Sequence, residues 1–495
     1  MKISEIFNLG VQQVQLDFVD INLKKDYPLY IDPYLISTRT DPWSIEVDRT
    51  IKSFFSKIAE HIRNDEHAKA IELFQFMSEP KETCLGISRT GTDNGRGVGE
   101  ENATGIIKEI IRSKAIETGV VQNIEDIIVF VDDVDKDKLS DMTTNIIRKH
   151  LIDYTKEQCK IWGIPLTINE SLPYWDPIEE DWVTCQDELL FYKGRELVLV
   201  PKAIVSYISE YNAQKYGWHF VISEERDEQL RRRSALVKFK KYKNGKEKYF
   251  LPKKDVDKAI SKQIADGEFE SRKDFLRQYT QNKPELFERF RKTRTGTVKS
   301  LSNDEIMQFT GHEDINKIID ALVMNLKSIP IGTKHASEYH KFIRSVLEIL
   351  FYPHLNNPTI EEKLHQGRKR VDIVMNNISC SGFFYRLQDI NKIFCPYVFI
   401  ECKNYGKDIA NPELDQLSGR FAFNKGKFGI LMCRTIVDKK LLYQRCSDTF
   451  KDDRGLIIPL DDNDIIEMLE SIKNEEKDGI EKSLEMIKRI IILNG

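Results

Sequence analysis

A chain of 495 residues with 40% hydrophobic and 31% charged side chains is long enough for roughly two to four domains, each able to bury a core. Its net charge of −4 gives no overall bias toward a polyanion, and no apolar stretch reaches the roughly 18 residues that span a bilayer. The N-terminus carries no signal-peptide core, and the eight cysteines show neither a CxxC pair nor a His/Cys zinc spacing, so reduced thiols, a cytoplasmic location and no membrane partner are expected.

Residues 1–225 read as a mixed α/β module of unassigned role. Val14-Gln15-Leu16-Asp17-Phe18-Val19 and Tyr27-Pro28-Leu29-Tyr30-Ile31 have the alternation of strands. Ile51, Phe54, Phe55, Ile58 and Ile62 recur at helical spacing and predict a helix over 49–77. A polar, glycine-rich loop follows from Gly86 to Gly99. It carries Arg89 and Arg96 like a phosphate-cradling loop, but no Gly-Lys-Ser/Thr completes a Walker pattern. A helix is expected over 104–118, a short buried strand at Ile127-Ile128-Val129-Phe130-Val131, and helical period again over 142–159. Asp133, Asp135 and Asp137 have the spacing that opens an EF-hand. Lys138 stands where the turn glycine belongs and Thr144 where the bidentate glutamate belongs, which argues against calcium.

Residues 226–330 are basic and mostly helical in pattern. Between 226 and 300 there are about 23 Lys/Arg against about 11 Asp/Glu. Tyr242-Lys243-Asn244-Gly245-Lys246 carries an Asn-Gly hairpin signal. Such a segment is either a solvated helical linker or a surface for a polyanion backbone, with Arg231, Arg232 and Arg233 as its densest run.

The last third, 331–463 followed by a charged helical tail over 464–495, holds the chemistry. A helix over 337–351 turns Phe342, Val346, Leu347 and Leu350 inward, and strands are expected over 359–364, 370–375 and 397–402. Asn411-Pro412-Glu413 reads as a helix start, with Asn as cap, Pro in the first turn and Glu at the positive end of the dipole. That helix places Gln416 and Arg420 four residues apart on one face. Phe428-Gly429-Ile430-Leu431-Met432-Cys433 is the next strand, so strand, helix and strand form a parallel crossover.

Asp372 begins the apolar run Val371-Asp372-Ile373-Val374-Met375, and Glu401-Cys402-Lys403 ends the run Tyr397-Val398-Phe399-Ile400. Residues two apart on a strand share a face, so Glu401 and Lys403 project together and Cys402 points away. Charges on runs this apolar need partners. Either they form an ion pair between neighbouring strands, or two carboxylates and a lysine build a divalent-metal site for cutting phosphodiesters.

Gly367 through Val374, Phe399 through Tyr405, Gln416 through Arg420, and Gly426-Lys427-Phe428-Gly429-Ile430-Leu431 together resemble the PD-(D/E)xK nuclease superfamily and, within it, the Mrr-like restriction endonuclease domains. The resemblance implies a C-terminal α/β/α sandwich with a mixed sheet. It also implies Mg²⁺ or Mn²⁺ held by Asp372, Glu401 and the Cys402 carbonyl, with Lys403 orienting or deprotonating water or holding charge on the phosphate. Gln416 matches a supporting glutamine; its usual lysine companion is absent, and Arg420 is what the helix offers. A further acid comes from the first helix in such domains. Glu338 is favoured over Glu348, with Glu361 and Glu362 behind both, and each is otherwise a solvated helix or strand acid. His340, close by, is otherwise a surface or packing residue. Arg368, Lys369 and Arg370 either grip phosphates or form a solvated basic turn.

The expected activity is therefore metal-dependent endonucleolytic cleavage of DNA, in prokaryotic defence against foreign DNA by family association alone. The alternative is a non-catalytic or partner-triggered nucleic-acid-binding subunit that keeps a nuclease fold. A homodimer suits double-strand cutting with one site per chain, and an ATPase or sensor partner suits the 225-residue N-terminal module, since no helicase motif is present.

Overall fold

The computed structural model describes residues 1–86, 96–207, 211–242, 247–294, 299–311, 314–359, 373–407, 409–476 and 478–493. The chain is an α/β protein with two hydrophobic cores. No helix among the described residues is long and apolar enough to cross a membrane.

The first core gathers helices and small sheets from the first 310 residues. Helix Pro42–Arg63 starts where the Asp41 carboxylate accepts from Ser44 N and Pro42 occupies the first turn. Val47, Ile51, Phe54, Phe55, Ile58 and Ile62 form its buried stripe. The helix does not run to 77. Asp65 takes a left-handed φ of 59°, which breaks the helix before a second one, His67–Leu73. Two further expectations fail for physical reasons. Val14–Val19 is no regular strand: Phe18 makes only an isolated antiparallel bridge to Pro201, and on the other edge the buried Gln13 side chain donates to Phe18 O (2.8 Å) and accepts from Asp20 N (2.8 Å), where a second strand would pair. Ile127–Phe130 is a helical turn. Asp126, fully buried, accepts from Gln122 N and Asn123 N at 2.9 Å and turns the chain into it. Small antiparallel sheets from Thr167–Glu170, Gln186–Tyr192 and Arg195–Leu197, and from Tyr174–Asp176 with Asp181–Val183, complete this part.

The basic segment is not a linker. Helices Lys253–Ala265, Arg272–Asn282, Pro284–Arg294 and Asn303–Thr310 send Val256, Ile260, Phe275, Phe287, Phe290 and Ile306 into the first core. The expected hairpin forms between Lys238–Lys241 and Glu247–Phe250; its turn, 243–246, lies outside the described residues, as does the glycine-rich stretch 87–95.

The second core is built on a five-stranded mixed sheet. Its order is Leu355–Thr359, Ile373–Asn377, Tyr397–Lys403, Phe428–Cys433, Leu456–Asp461. The first two junctions are antiparallel and the last two parallel. Helices Asn411–Ser418 and Lys439–Lys451 connect the parallel strands and pack on one face of the sheet. Helices Ala336–Phe351 and Asp462–Lys473 cover the other face. The C-terminal helices are core elements rather than a tail: Ile465, Met468, Leu469, Leu484, Ile487 and Ile491 are all buried.

A buried polar seam joins the two cores. Asp17 accepts from Tyr154 Oη (2.7 Å) and from Asn357 N (2.9 Å). Lys202, fully buried, lies 3.3 Å from the Glu348 carboxylate and 4.0 Å from the Tyr352 ring centroid. Burial raises the Glu348 carboxyl to about 8, against the pull of Lys202, and burial likewise lowers the Lys202 ammonium.

Candidate functional site

The central strand Tyr397–Lys403 delivers Glu401 and Lys403 to the face covered by helix Asn411–Ser418. Lys403 Nζ donates to Glu401 Oε1 at 2.7 Å and to Gln416 Oε1 at 2.9 Å. Gln416 Nε2 donates to the same Glu401 Oε1 at 2.5 Å. The three side chains close a ring in which the amide of Gln416 uses both its donor and its acceptor. Glu401 is 2% exposed and the Lys403 side chain 15%, so the carboxylate is inside the protein while the ammonium keeps a route to solvent.

The loop beyond the strand is held as firmly. Asn404, buried, donates to Pro330 O (3.1 Å) and Gly332 O (2.9 Å) and accepts from Arg434 (3.3 Å). Arg434 also caps the end of helix Ile315–Ser328 through Leu326 O (3.2 Å) and Ile329 O (2.9 Å), and pairs with Asp462 at 2.7 Å. Tyr405 Oη donates to Glu413 Oε1 at 2.6 Å, tying the same loop to the helix that carries Gln416. Burial, together with Glu413, raises the Tyr405 phenol well above its ordinary range, so it stays a donor. On the opposite face, His340 Nε2 lies 3.1 Å from Cys402 O. A carbonyl only accepts, so in this contact the His340 ring donates from Nε2.

The residues read from the sequence divide as follows. Glu401, Lys403 and Gln416 come together. Asp372, Arg368, Lys369, Arg370, Glu361 and Glu362 lie outside the described residues. Glu338 sits in the first turn of its helix, its side chain 59% exposed and 3.2 Å from His335 Nδ1. It is about 200° around the helix from His340, which is the residue that reaches the strand. Glu348 is committed to the seam with Lys202. Arg420 does not share a helical face with Gln416, because the helix ends at Ser418 and Arg420 lies beyond it; as a residue only 6% exposed, it does not present itself to a phosphate backbone. Ala410, not Asn411, is the cap position, and Glu413 reaches back to Ala410 N at 3.0 Å. Arg231 and Arg232 are exposed but pair with Glu224 and Glu228, each at 3.2 Å. Arg233 stacks 4.6 Å from the Tyr249 ring. Asp135 caps helix Lys136–Ile146 through Lys138 N.

Among the described residues no group of three His, Cys, Asp and Glu side chains gathers as a metal site. Sequence reasoning missed the anchoring roles of Asn404, Arg434 and Tyr405. Asn404 and Tyr405 directly follow Lys403, which was the available signal; Arg434 directly follows the Phe428–Cys433 strand and had no such marker.

Residues 8–212 are similar to the family described as Domain of unknown function (DUF8370), a match confined to the first part of the chain. A protein of Escherichia coli (strain K12), the transposon gamma-delta 80.3 kDa protein, is 25% identical over 173 residues; the match covers 34% of this chain and 24% of that protein. The chain thus spans about a quarter of the length of this relative. No solved structure matches.

Proposed function

We propose that the chain is a metal-dependent endonuclease acting on DNA, with its catalytic centre at the end of the Tyr397–Lys403 strand. The observation that carries this reading is the ring of Glu401, Lys403 and Gln416. A lysine and a carboxylate share one face of a central strand, and a glutamine from the crossover helix orients both. The support from sequence is the resemblance to Mrr-like domains in this third of the chain. The E. coli relative is named for a transposon, which is compatible with work on DNA.

The donor chemistry fits a hard divalent cation. Glu401 and the Cys402 carbonyl are oxygen donors, and Asp372 directly precedes Ile373 in the chain, which stands opposite Ile400, the neighbour of Glu401. These three would hold Mg²⁺ or Mn²⁺. When bound, the metal supplies charge for the phosphate oxygens and a lowered pKa for water. The chain's own residues do the rest. Gln416 fixes the Glu401 carboxylate in one orientation, and Lys403 places a proton-bearing ammonium beside the attacked phosphodiester. Tyr405 and Asn404 keep the loop after the strand from moving away.

The test is incubation of the purified protein with plasmid DNA, with and without Mg²⁺ or Mn²⁺. Asp372→Ala and Glu401→Ala should abolish cleavage. Lys403→Arg should lose most of it while retaining DNA affinity, because arginine keeps the charge but holds its proton and needs more room. Unchanged cleavage in both alanine variants would overturn the assignment.

A further inference from the structure

The hairpin of Lys238–Lys241 and Glu247–Phe250 stands apart from both cores. All eight strand residues are exposed, on both faces. A two-stranded ribbon with neither face covered is marginal by itself in water. The register pairs Lys238 with Phe250, Phe239 with Tyr249, Lys240 with Lys248 and Lys241 with Glu247. Alternation then sorts the side chains. One face carries Lys238, Lys240, Lys248 and Phe250; the other carries Phe239, Tyr249, Lys241 and Glu247.

The two faces have different chemistry. On the first, Lys240 and Lys248 stand directly opposite each other, an arrangement that like-charge repulsion disfavours. Lys238 is paired with Asp255 at 2.7 Å, but among the described residues neither Lys240 nor Lys248 has an acidic partner. On the second, Phe239 and Tyr249 have ring centroids 6.2 Å apart, and the Arg233 guanidinium stacks on Tyr249 at 4.6 Å. Phe239 is 66% exposed.

We propose that this hairpin is a DNA-binding ribbon that enters a groove of the duplex, with Lys240 and Lys248 on the phosphates and the Phe239–Tyr249 face against the opposite wall. The choice of nucleic acid over other polyanions rests on the nuclease reading above. The choice of a groove rests on the hairpin itself. A flat partner, such as an anionic membrane or the side of an acidic protein, would cover either the lysines or the aromatics and leave the other face bare. Two strands about 4.8 Å apart fit a major groove about 12 Å wide, which contacts both faces at once. The polyanion also removes the repulsion between Lys240 and Lys248. The electrostatic weight of the basic segment thus moves from Arg231 and Arg232, which have carboxylate partners, to the hairpin.

The experiment uses the full chain, a short fluorescein-labelled DNA duplex and EDTA, so that binding is read without cleavage. Fluorescence anisotropy is titrated over a range of salt for wild type, Lys240→Glu/Lys248→Glu, Phe239→Ser/Tyr249→Ser, and a charge-matched control, Lys24→Glu/Lys25→Glu. Both hairpin variants should lose about tenfold or more in affinity, and the lysine variant should lower the salt slope by about 2, while the control stays near wild type. Far-UV circular dichroism guards against loss of fold, which exposed positions should not cause. Equal losses in hairpin variant and control, a hairpin variant within twofold of wild type, or a wild type that binds single strands but not the duplex would each overturn the proposal. Cleavage in Mg²⁺ is read separately. Hairpin-dependent binding with no cleavage would sink the nuclease reading alone, and cleavage with hairpin-independent binding would sink this one alone.

Discussion

Replacing Lys403 by methionine removes the ammonium 2.7 Å from Glu401 Oε1 and leaves a carboxylate that is 2% exposed. At an effective dielectric near 20, two unit charges about 4 Å apart attract by about 4 kcal/mol, and removing one partner of a buried pair costs about 3–5 kcal/mol because the other charge stays behind. Gln416 still donates to Glu401, and a hydrogen bond to a charged group is worth about 1.5–3 kcal/mol, so the cost should settle near 3 kcal/mol. Glu401→Gln with Lys403→Met removes both charges and should recover most of it, giving a coupling energy of roughly 2 kcal/mol. All five tryptophans lie within the first 225 residues and report on the first core. The assay is therefore native-state hydrogen exchange in EDTA, read on the amides of the Tyr397–Lys403 strand, for the two single variants and the double. A coupling below about 0.5 kcal/mol would mean that solvent screens the pair. It would refute the argument that Glu401 depends on Lys403 for its charge.

Two more outcomes follow from the buried ionisable groups. Lys202→Met takes the cation from Glu348, whose carboxyl burial already holds at about 8. The carboxyl therefore stays protonated, and the cost should be about 1–3 kcal/mol, that of a lost buried hydrogen-bond partner, by urea unfolding followed through tryptophan fluorescence, with Lys202→Met/Glu348→Leu recovering most of the loss; a single variant as stable as wild type would show the seam to be dispensable. Burial raises the Asp462 carboxyl to about 6 from an ordinary 3.8, against Arg434 and Tyr339, so the folded state holds this proton more tightly than the unfolded chain. The stability so contributed is full below about pH 4 and lost as pH rises through about 6; wild type should therefore lose stability relative to Asp462→Asn between those values, and parallel pH profiles of the two would contradict it.

Local pattern alone determined much of the C-terminal unit. The helix expected over 337–351 is Ala336–Phe351, and the strands at 397–402 and 428–433 are Tyr397–Lys403 and Phe428–Cys433. Their parallel pairing through a helix was also readable. Alternation put Glu401 and Lys403 on one face, and Gln416 meets them there. These features depend on period and on a few chain-neighbour rules, which a sequence carries directly. What only the tertiary structure decided depends on partners far away in the chain. The apolar runs at 14–19 and 127–131 have strand composition, yet the Gln13 side chain takes Phe18 O and Asp20 N on one edge of the first, and Asp126, held by the amides of Gln122 and Asn123, turns the chain into a helix at the start of the second. The basic segment looked solvated because charges outnumber its apolar residues, but Phe275, Phe287 and Phe290 were enough to anchor its helices in the first core. Glu348 and Glu338 look alike on one helix. Lys202, from the other core, claims the first, while the second faces solvent beside His335. No local spacing encodes which distant cation will lie against a given carboxylate, because that is settled by how two cores pack and by the cost of leaving either charge buried alone.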